Sequence, residues 1–194
     1  TVELIDNQDA TIDDLLKHVK GPDFPTGATV YGGAPMKQAY QTGRGSVMVR
    51  GVAEIIETKK GRHQIVITEI PYGVNKEQLV MAIADLAKEG RVHGIANVND
   101  ESGRQGMRIV VDVKREANAN VLLNKLFKLT ALQSSFSVNC IALVKGRPRL
   151  LTLKECVKCF VEHRHDVTIR RTQYELKKAQ ERAHILDRIS GGSG

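Results

Sequence analysis

The chain contains no tryptophan, and four phenylalanines and four tyrosines are its only aromatics. A core built from it must rest on aliphatic side chains, and at 41% hydrophobic residues that core is modest. Cysteine is also scarce. Three cannot close a complete disulfide framework, which points to a reducing, cytosolic setting. No apolar run approaches the ~20 residues that a membrane-spanning helix needs. The opening residues, Thr1–Asp6, lack the charged region and apolar core of a signal peptide. There is no phosphate-binding glycine loop of the P-loop type, and no Ser/His/Asp or Cys/His arrangement on a supporting elbow. The paired carboxylates Asp13-Asp14 and Asp100-Glu101 read as helix-cap and turn residues.

Positive charge is what the chain does have. Lys and Arg number 29 against 22 Asp and Glu, a net +7, and the pI is near 9.4. That balance leaves a polyanionic partner and a solvated basic surface both open. Turn chemistry is densest in residues 22–45, PDFPTGATVYGGAPMKQAYQTGRG. Pro22, Pro25 and glycines at 27, 32, 33, 43 and 45 frame one short β-branched run. Turn geometry rather than a buried stripe is expected to hold this segment. A loop built this way presents something to a partner. Here the pair on offer is apolar Val30 beside cationic Arg44. In Gln41-Thr42-Gly43-Arg44-Gly45-Ser46 the flanking glycines let backbone N–H groups approach an anion, and the guanidinium adds a bidentate phosphate contact. The alternatives are a salt bridge from Arg44 to Asp23 or Glu54, and Val30 packed under the loop. Lys59, Lys60 and Arg62 on a hairpin turn read as a solvated cluster.

The order of elements predicts an α+β fold. A short helix is expected over 11–19, capped by Thr11 with Asp14, inside a lead-in at 1–21. A hairpin follows over 46–57 and 63–70, stopped by Pro71. The next helix, 76–88, has Asn75 as its cap and Gly90 as its exit. A second hairpin (93–98 and 107–113), a helix (117–128) and a strand (136–144, ended by Gly146 and Pro148) complete a ββα-ββα-β series. The expected architecture is a mainly antiparallel sheet with helices on one face, spanning 22–150.

From Thr152 the chain changes character. Thr152-Leu-Lys-Glu155 is a capping box, and no Gly or Pro occurs before Gly191. A long helix over 151–190 is predicted. Leu153, Cys156, Val157, Phe160 and Val161 share one face, enough to dock its base on the sheet domain. Further on, Ile169, Thr172, Leu176, Ala179, Ala183 and Leu186 follow heptad spacing, a coiled-coil seam whose partner is a second copy or further chain. Cys156 and Cys159 with His163 and His165 invite a zinc reading. Two cysteines on one helical face lack the turn that structural zinc sites use, so buried thiols are expected. His163, Arg164, His165, Arg170 and Arg171 form a basic girdle. The tail GGSG (191–194) reads as a linker or a cloning scar.

Seven motifs occur in order: GPDFPTG, AYQTGRG, TEIPYGVNKEQL (68–79), DESGRQGMRIV (100–110), LTALQSSFSVN (129–139), ALVKGRP (142–148) and HRHDVTIRRTQYELKKAQERAHIL (163–186). Together they resemble the gyrase A-subunit family of type IIA topoisomerases, over most of the chain. The resemblance implies a tower domain at 22–150 and the first arm of a coiled coil at 151–190. It implies that the partners are double-stranded DNA, a second A subunit, plus a B subunit, with no membrane, in a bacterial cytoplasm. ATP and Mg2+ belong to the B partner, so no cofactor is expected here. In that family an isoleucine after PDFPT wedges between base pairs and helps bend the DNA. Val30 occupies the corresponding place, one methylene shorter, and Arg44 with Thr42, Gly43 and Gly45 would contact phosphate. The family's nucleophilic tyrosine lies N-terminal to these motifs. None of Tyr31, Tyr40, Tyr72 and Tyr174 has its basic, threonine-rich setting, so a fragment without bond chemistry of its own is expected. The alternatives are a topoisomerase IV tower, or a stand-alone nucleic-acid-binding α+β module that dimerises through its long helix.

Overall fold

The computed structural model describes residues 1–191. The elements are α1 (Val2–Asp6), α2 (Ile12–Leu16), β1 (Thr29–Tyr31), α3 (Gly33–Thr42), β2 (Arg44–Arg50), β3 (Val52–Glu57), β4 (His63–Glu69), α4 (Lys76–Lys88), β5 (Ile95–Asp100), β6 (Ile109–Val113), α5 (Ala119–Leu129), β7 (Gln133–Asn139), β8 (Ile141–Val144), β9 (Arg147–Leu150) and α6 (Leu153–Gly191). The α+β class, the antiparallel pairing and the long C-terminal helix are as the sequence predicts. The chain divides into two compact units. One holds Thr1–His18, Tyr40–Gly43 and the residues from Cys140 onward; the other holds Val19–Ala39 and Arg44–Asn139.

In the larger unit, four strands pair antiparallel in the order β3-β4-β6-β5. Alternation in β4 and β6 puts Ile65, Ile67, Ile109 and Val111 into one aliphatic cluster with Leu79 and Ile83 of α4 and Leu122 and Leu126 of α5. Both helices start on asparagine caps. Asn75 Oδ1 accepts from the Gln78 N–H at 3.0 Å, and Asn118 Oδ1 from the Asn120 N–H at 2.9 Å. Such caps stabilise a helix by about 1 kcal/mol.

Three strands form a separate sheet, β1-β2-β7, so the single sheet expected from sequence is corrected. The predicted strand 46–57 is cut at Gly51, and its two halves pair in different sheets. Only glycine fits at the cut: an added Cβ would stand 2.5 Å from the Glu69 carbonyl oxygen and 2.7 Å from Leu132 Cδ1. The Gly51 N–H donates to the Leu132 carbonyl at 2.8 Å. The predicted 22–45 loop is corrected too, because residues 33–42 are helical. Met36, Ala39 and Tyr40 are all buried and recur at the i, i+3, i+4 spacing of an apolar stripe. Pro35 falls in the first turn, where its missing N–H costs nothing.

In the smaller unit, α6 runs 39 residues. Its capping box is formed: the Thr152 N–H donates to Glu155 Oε2 at 2.8 Å and the Glu155 N–H to Thr152 Oγ1 at 3.2 Å. Its base packs on the N-terminal segment. Leu153 and Val157 pack against Leu4, Ala10 and Leu15 of the N-terminal segment, whereas Phe160 is exposed. The N-terminal segment contains an additional helix, α1, and α2 is shorter than predicted, leaving Val19 outside the packing. The predicted strand 136–144 breaks at Cys140, whose N–H donates to the Gly43 carbonyl at 2.9 Å. Its second half becomes β8, and Pro148 sits within β9 rather than ending a strand. Of the 191–194 tail, Gly191 closes α6 and the rest lies outside the described residues.

Replacing Gly51 with alanine should destabilise the protein by about 1–3 kcal/mol, the usual cost of overpacking. Gly103→Ala, with nothing within 4 Å of its added Cβ, should stay within about 0.5 kcal/mol. Urea unfolding of the two variants checks this, and equal midpoints would refute the steric account.

Candidate nucleic-acid interface

The segment leading into β1 is clamped at two points. Phe24 stacks on Tyr72 at 5.5 Å between ring centroids and meets Phe136 edge-on at 4.9 Å. Further along, Gly27 and Ala28 take φ values of 71° and 75°. The Gly27 N–H donates to the Phe24 carbonyl at 3.0 Å, and the Ala28 N–H donates to Glu69 Oε2 at 2.5 Å. A Cβ on Gly27 would overlap that same carboxylate. A carboxylate and an aromatic trio therefore hold this segment, in addition to turn chemistry.

Val30 and Arg44 are not brought together. Val30 pairs with Val49, and Arg44 lies five positions further along β2, about 17 Å at ~3.4 Å per residue. Odd and even positions of β2 also face opposite sides. Val47 and Val49 are buried, so half-buried Val30 shares the packed face of the sheet. Arg44 stands on the other face with Ser46, Met48 and Arg50. The expectation of an apolar and a cationic group side by side is corrected accordingly.

The glycines around Arg44 have packing reasons of their own. Gly43 takes φ 78°, and a Cβ there would lie 2.6 Å from the Leu151 carbonyl oxygen. A Cβ on Gly45 would lie 2.7 Å from that of Ala39. Thr42 is the exposed last residue of α3.

The Arg44 face has features that sequence reasoning missed. Register aligns Arg44 with Asn139, Ser46 with Ser137, Met48 with Ser135 and Arg50 with Gln133. Ser46 and Ser135 hydroxyls share a hydrogen bond of 2.5 Å. The Arg50 guanidinium lies 4.7 Å from the Tyr31 ring centroid and 4.9 Å from that of Phe127, and its Nε donates to Gln133 Oε1 at 2.5 Å. This surface is hydroxyl-rich, with two arginines and no carboxylate among its paired positions. The signal is the alternation Arg44, Ser46, Met48, Arg50, hidden when the strand is started at 46.

The model of the family described as the A subunit of DNA gyrase/topoisomerase IV matches residues 1–191. The chain belongs to that family. It is 50% identical over 181 residues to the DNA gyrase A subunit of Halalkalibacterium halodurans, covering 93% of this chain and 22% of that protein. It is 48% identical to the DNA gyrase A subunit of Leptospira biflexa over 186 residues, 96% of this chain and 22% of the relative. The Escherichia coli K12 DNA gyrase A subunit matches at 48% over 187 residues, 96% of this chain and 21% of the relative. The chain thus spans about a fifth of the length of these curated relatives.

Along α6 of this family member, Ile169, Leu176 and Leu186 are exposed, as are Ala179 and Ala183. The helix is braced by its own side chains, Arg171 Nε donating to Glu175 Oε1 at 2.8 Å. Cys140, Cys156 and Cys159 are free thiols, and the pair at the helix base, Cys156 and Cys159, expected to be buried, is half-buried. Burial pushes the Cys156 thiol up, with a smaller push from Cys140. Burial likewise pushes the Tyr40 hydroxyl up, away from the ionised form a nucleophile needs. Among the described residues, no group of three or more His, Cys, Asp or Glu is placed to hold a metal ion. No helix among them is long and apolar enough to cross a membrane.

Glu69→Ala should release the Ala28 amide. Hydrogen exchange at Ala28 should accelerate, and stability should fall by about 1.5–3 kcal/mol, as for a hydrogen bond to a charged group. Unchanged exchange at Ala28 would show that the aromatic trio alone holds the segment.

Proposed function

We propose that this chain is the part of a DNA gyrase A subunit that holds and bends gate DNA, and that α6 leads from it into a coiled coil. The observation that carries this reading is the 48–50% identity to gyrase A subunits through 93–96% of the chain. Those relatives also favour gyrase over topoisomerase IV. The parent enzyme is a cytoplasmic, ATP-dependent type IIA topoisomerase. It breaks both strands of one duplex, passes a second through and reseals the first, with net negative supercoiling. Its partners are double-stranded DNA, a B subunit that handles ATP and Mg2+, and a second A subunit. The tower domain covers 22–150 and the coiled-coil arm 151–190.

Within this reading Arg44, supported by Thr42, Gly43 and Gly45, contacts a phosphate, and Val30 is the wedge that unstacks a base step. Because Val30 and Arg44 lie on opposite faces of the sheet, on this reading they meet the DNA at separate points. Val30 also has a rival role, completing the packed face opposite Val49. The exposed residues Ile169, Leu176, Ala179, Ala183 and Leu186 form the coiled-coil seam, met by a returning helix.

Binding of a short duplex should weaken steeply with salt, and Arg44→Ala should reduce the slope of log K against log salt by about 1. In the full-length A subunit with its B subunit, Val30→Ala should lower DNA bending, read by energy transfer between duplex ends, and leave the melting temperature in place. A loss of about 1.5 kcal/mol in stability, at ~0.8 kcal/mol per buried CH2, with bending intact would assign Val30 to packing and remove it from the wedge role.

A further inference from the structure

The β8–β9 hairpin has two unlike faces. Ile141 pairs with Leu150 and Leu143 with Pro148, which puts four apolar residues on one side. Ala142 pairs with Arg149 and Val144 with Arg147 on the other. Lys145 and Gly146 close the hairpin at φ 51° and 77°, the two positive values of a type I′ turn. That turn prefers Asn or Gly at its first position, yet a cation stands there. From Cys140 to Lys154 the chain carries Lys145, Arg147, Arg149 and Lys154 and no carboxylate.

Every residue of β9 is exposed, and Leu143 is 74% exposed. A lone two-stranded ribbon is marginal in water. This one keeps its aliphatic side uncovered while its base is tightly held, Cys140 donating to the Gly43 carbonyl and Leu151 to the Cys140 carbonyl at 2.9 Å each. Anchored at the root and bare at the tip, it is built to meet something outside itself.

We propose that the β8–β9 hairpin is a further DNA-contacting element, in addition to Val30 and Arg44. Arg147, Arg149 and Lys145 lie on phosphates, and the Leu143–Pro148 pair presses on the base edges of a groove. A duplex uses both faces, offering negative charge to the cations and base steps that leucine and proline can wedge apart. A folded protein matched to the apolar side would leave the three cations idle. The inference rests on the DNA-binding reading above.

The test uses the 194-residue chain and a fluorescein-labelled 30-base-pair duplex, with anisotropy titrations across a series of salt concentrations. Arg147→Ala with Arg149→Ala should weaken binding and lower the salt slope by about 2, at ~0.9 for each phosphate no longer neutralised. Leu143→Ser should leave the slope in place and reduce bending of a doubly labelled duplex. Melting temperatures of all variants should match the parent, because these side chains are exposed. An unchanged slope in the double arginine variant, while Arg44→Ala still lowers it, would overturn the hairpin inference alone. Absence of salt-dependent binding by the parent chain would overturn both readings. A changed association state of Leu143→Ser in light scattering, with DNA binding and bending intact, would assign the apolar face to a protein contact and overturn the proposal.

Discussion

The close approach at Gly51 is the constraint on which the larger unit depends. Three segments meet there within van der Waals contact: the passage from β2 to β3, the end of β4 at Glu69, and Leu132 between α5 and β7. The missing side chain lets one extended stretch leave the three-stranded sheet and enter the four-stranded one. Glu69 acts on both sides of this point. Its carbonyl oxygen backs Gly51, and its carboxylate holds the Ala28 amide just ahead of β1. The position of Val30 and the exposure of Arg44 are therefore set by the same few atoms.

Family membership fixes what the parent does only by proposal, but the geometry narrows how this segment could contribute. The candidate surface offers arginine, serine and an arginine–aromatic stack, groups suited to phosphate and sugar rather than to bond cleavage. Tyr40 is buried, and that burial pushes its hydroxyl pKa up. Opposite faces of one three-stranded sheet carry the apolar and cationic candidates, so a duplex touching both must wrap an edge rather than lie on a plane.

Much of this was legible in the sequence where the signal is local. Asn75, the Thr11–Asp14 box and the Thr152–Glu155 box each place a helix start within a residue, because a cap satisfies backbone donors a few positions away. The alternation in 109–113 and the absence of Gly and Pro after Thr152 were equally direct. Non-local features were not legible. Helix α3 was masked by the glycines and proline around it, though Met36, Ala39 and Tyr40 carry its stripe. Which half of 46–57 pairs with which sheet depends on what Gly51 approaches, and no periodicity reports that. The opposed faces of Val30 and Arg44 follow from a register that only the folded strands define. The β8–β9 hairpin escaped because Pro148 reads as a stop, whereas an edge strand tolerates it.

The long helix has a mechanical consequence. Its buried hold on the N-terminal segment is Leu153 and Val157 against Leu4, Ala10 and Leu15, and Thr1 and Ile5 lie alongside it as far as Thr168. Past Thr168, about 35 Å of it, at ~1.5 Å per residue, extends beyond that segment. It behaves as a lever with its fulcrum in five small aliphatic side chains. A tilt of about 5° at that fulcrum would carry the far end through about 3 Å over this length. Sub-ångström repacking beneath Leu153 is thereby amplified into a displacement the size of a side chain at the distant tip.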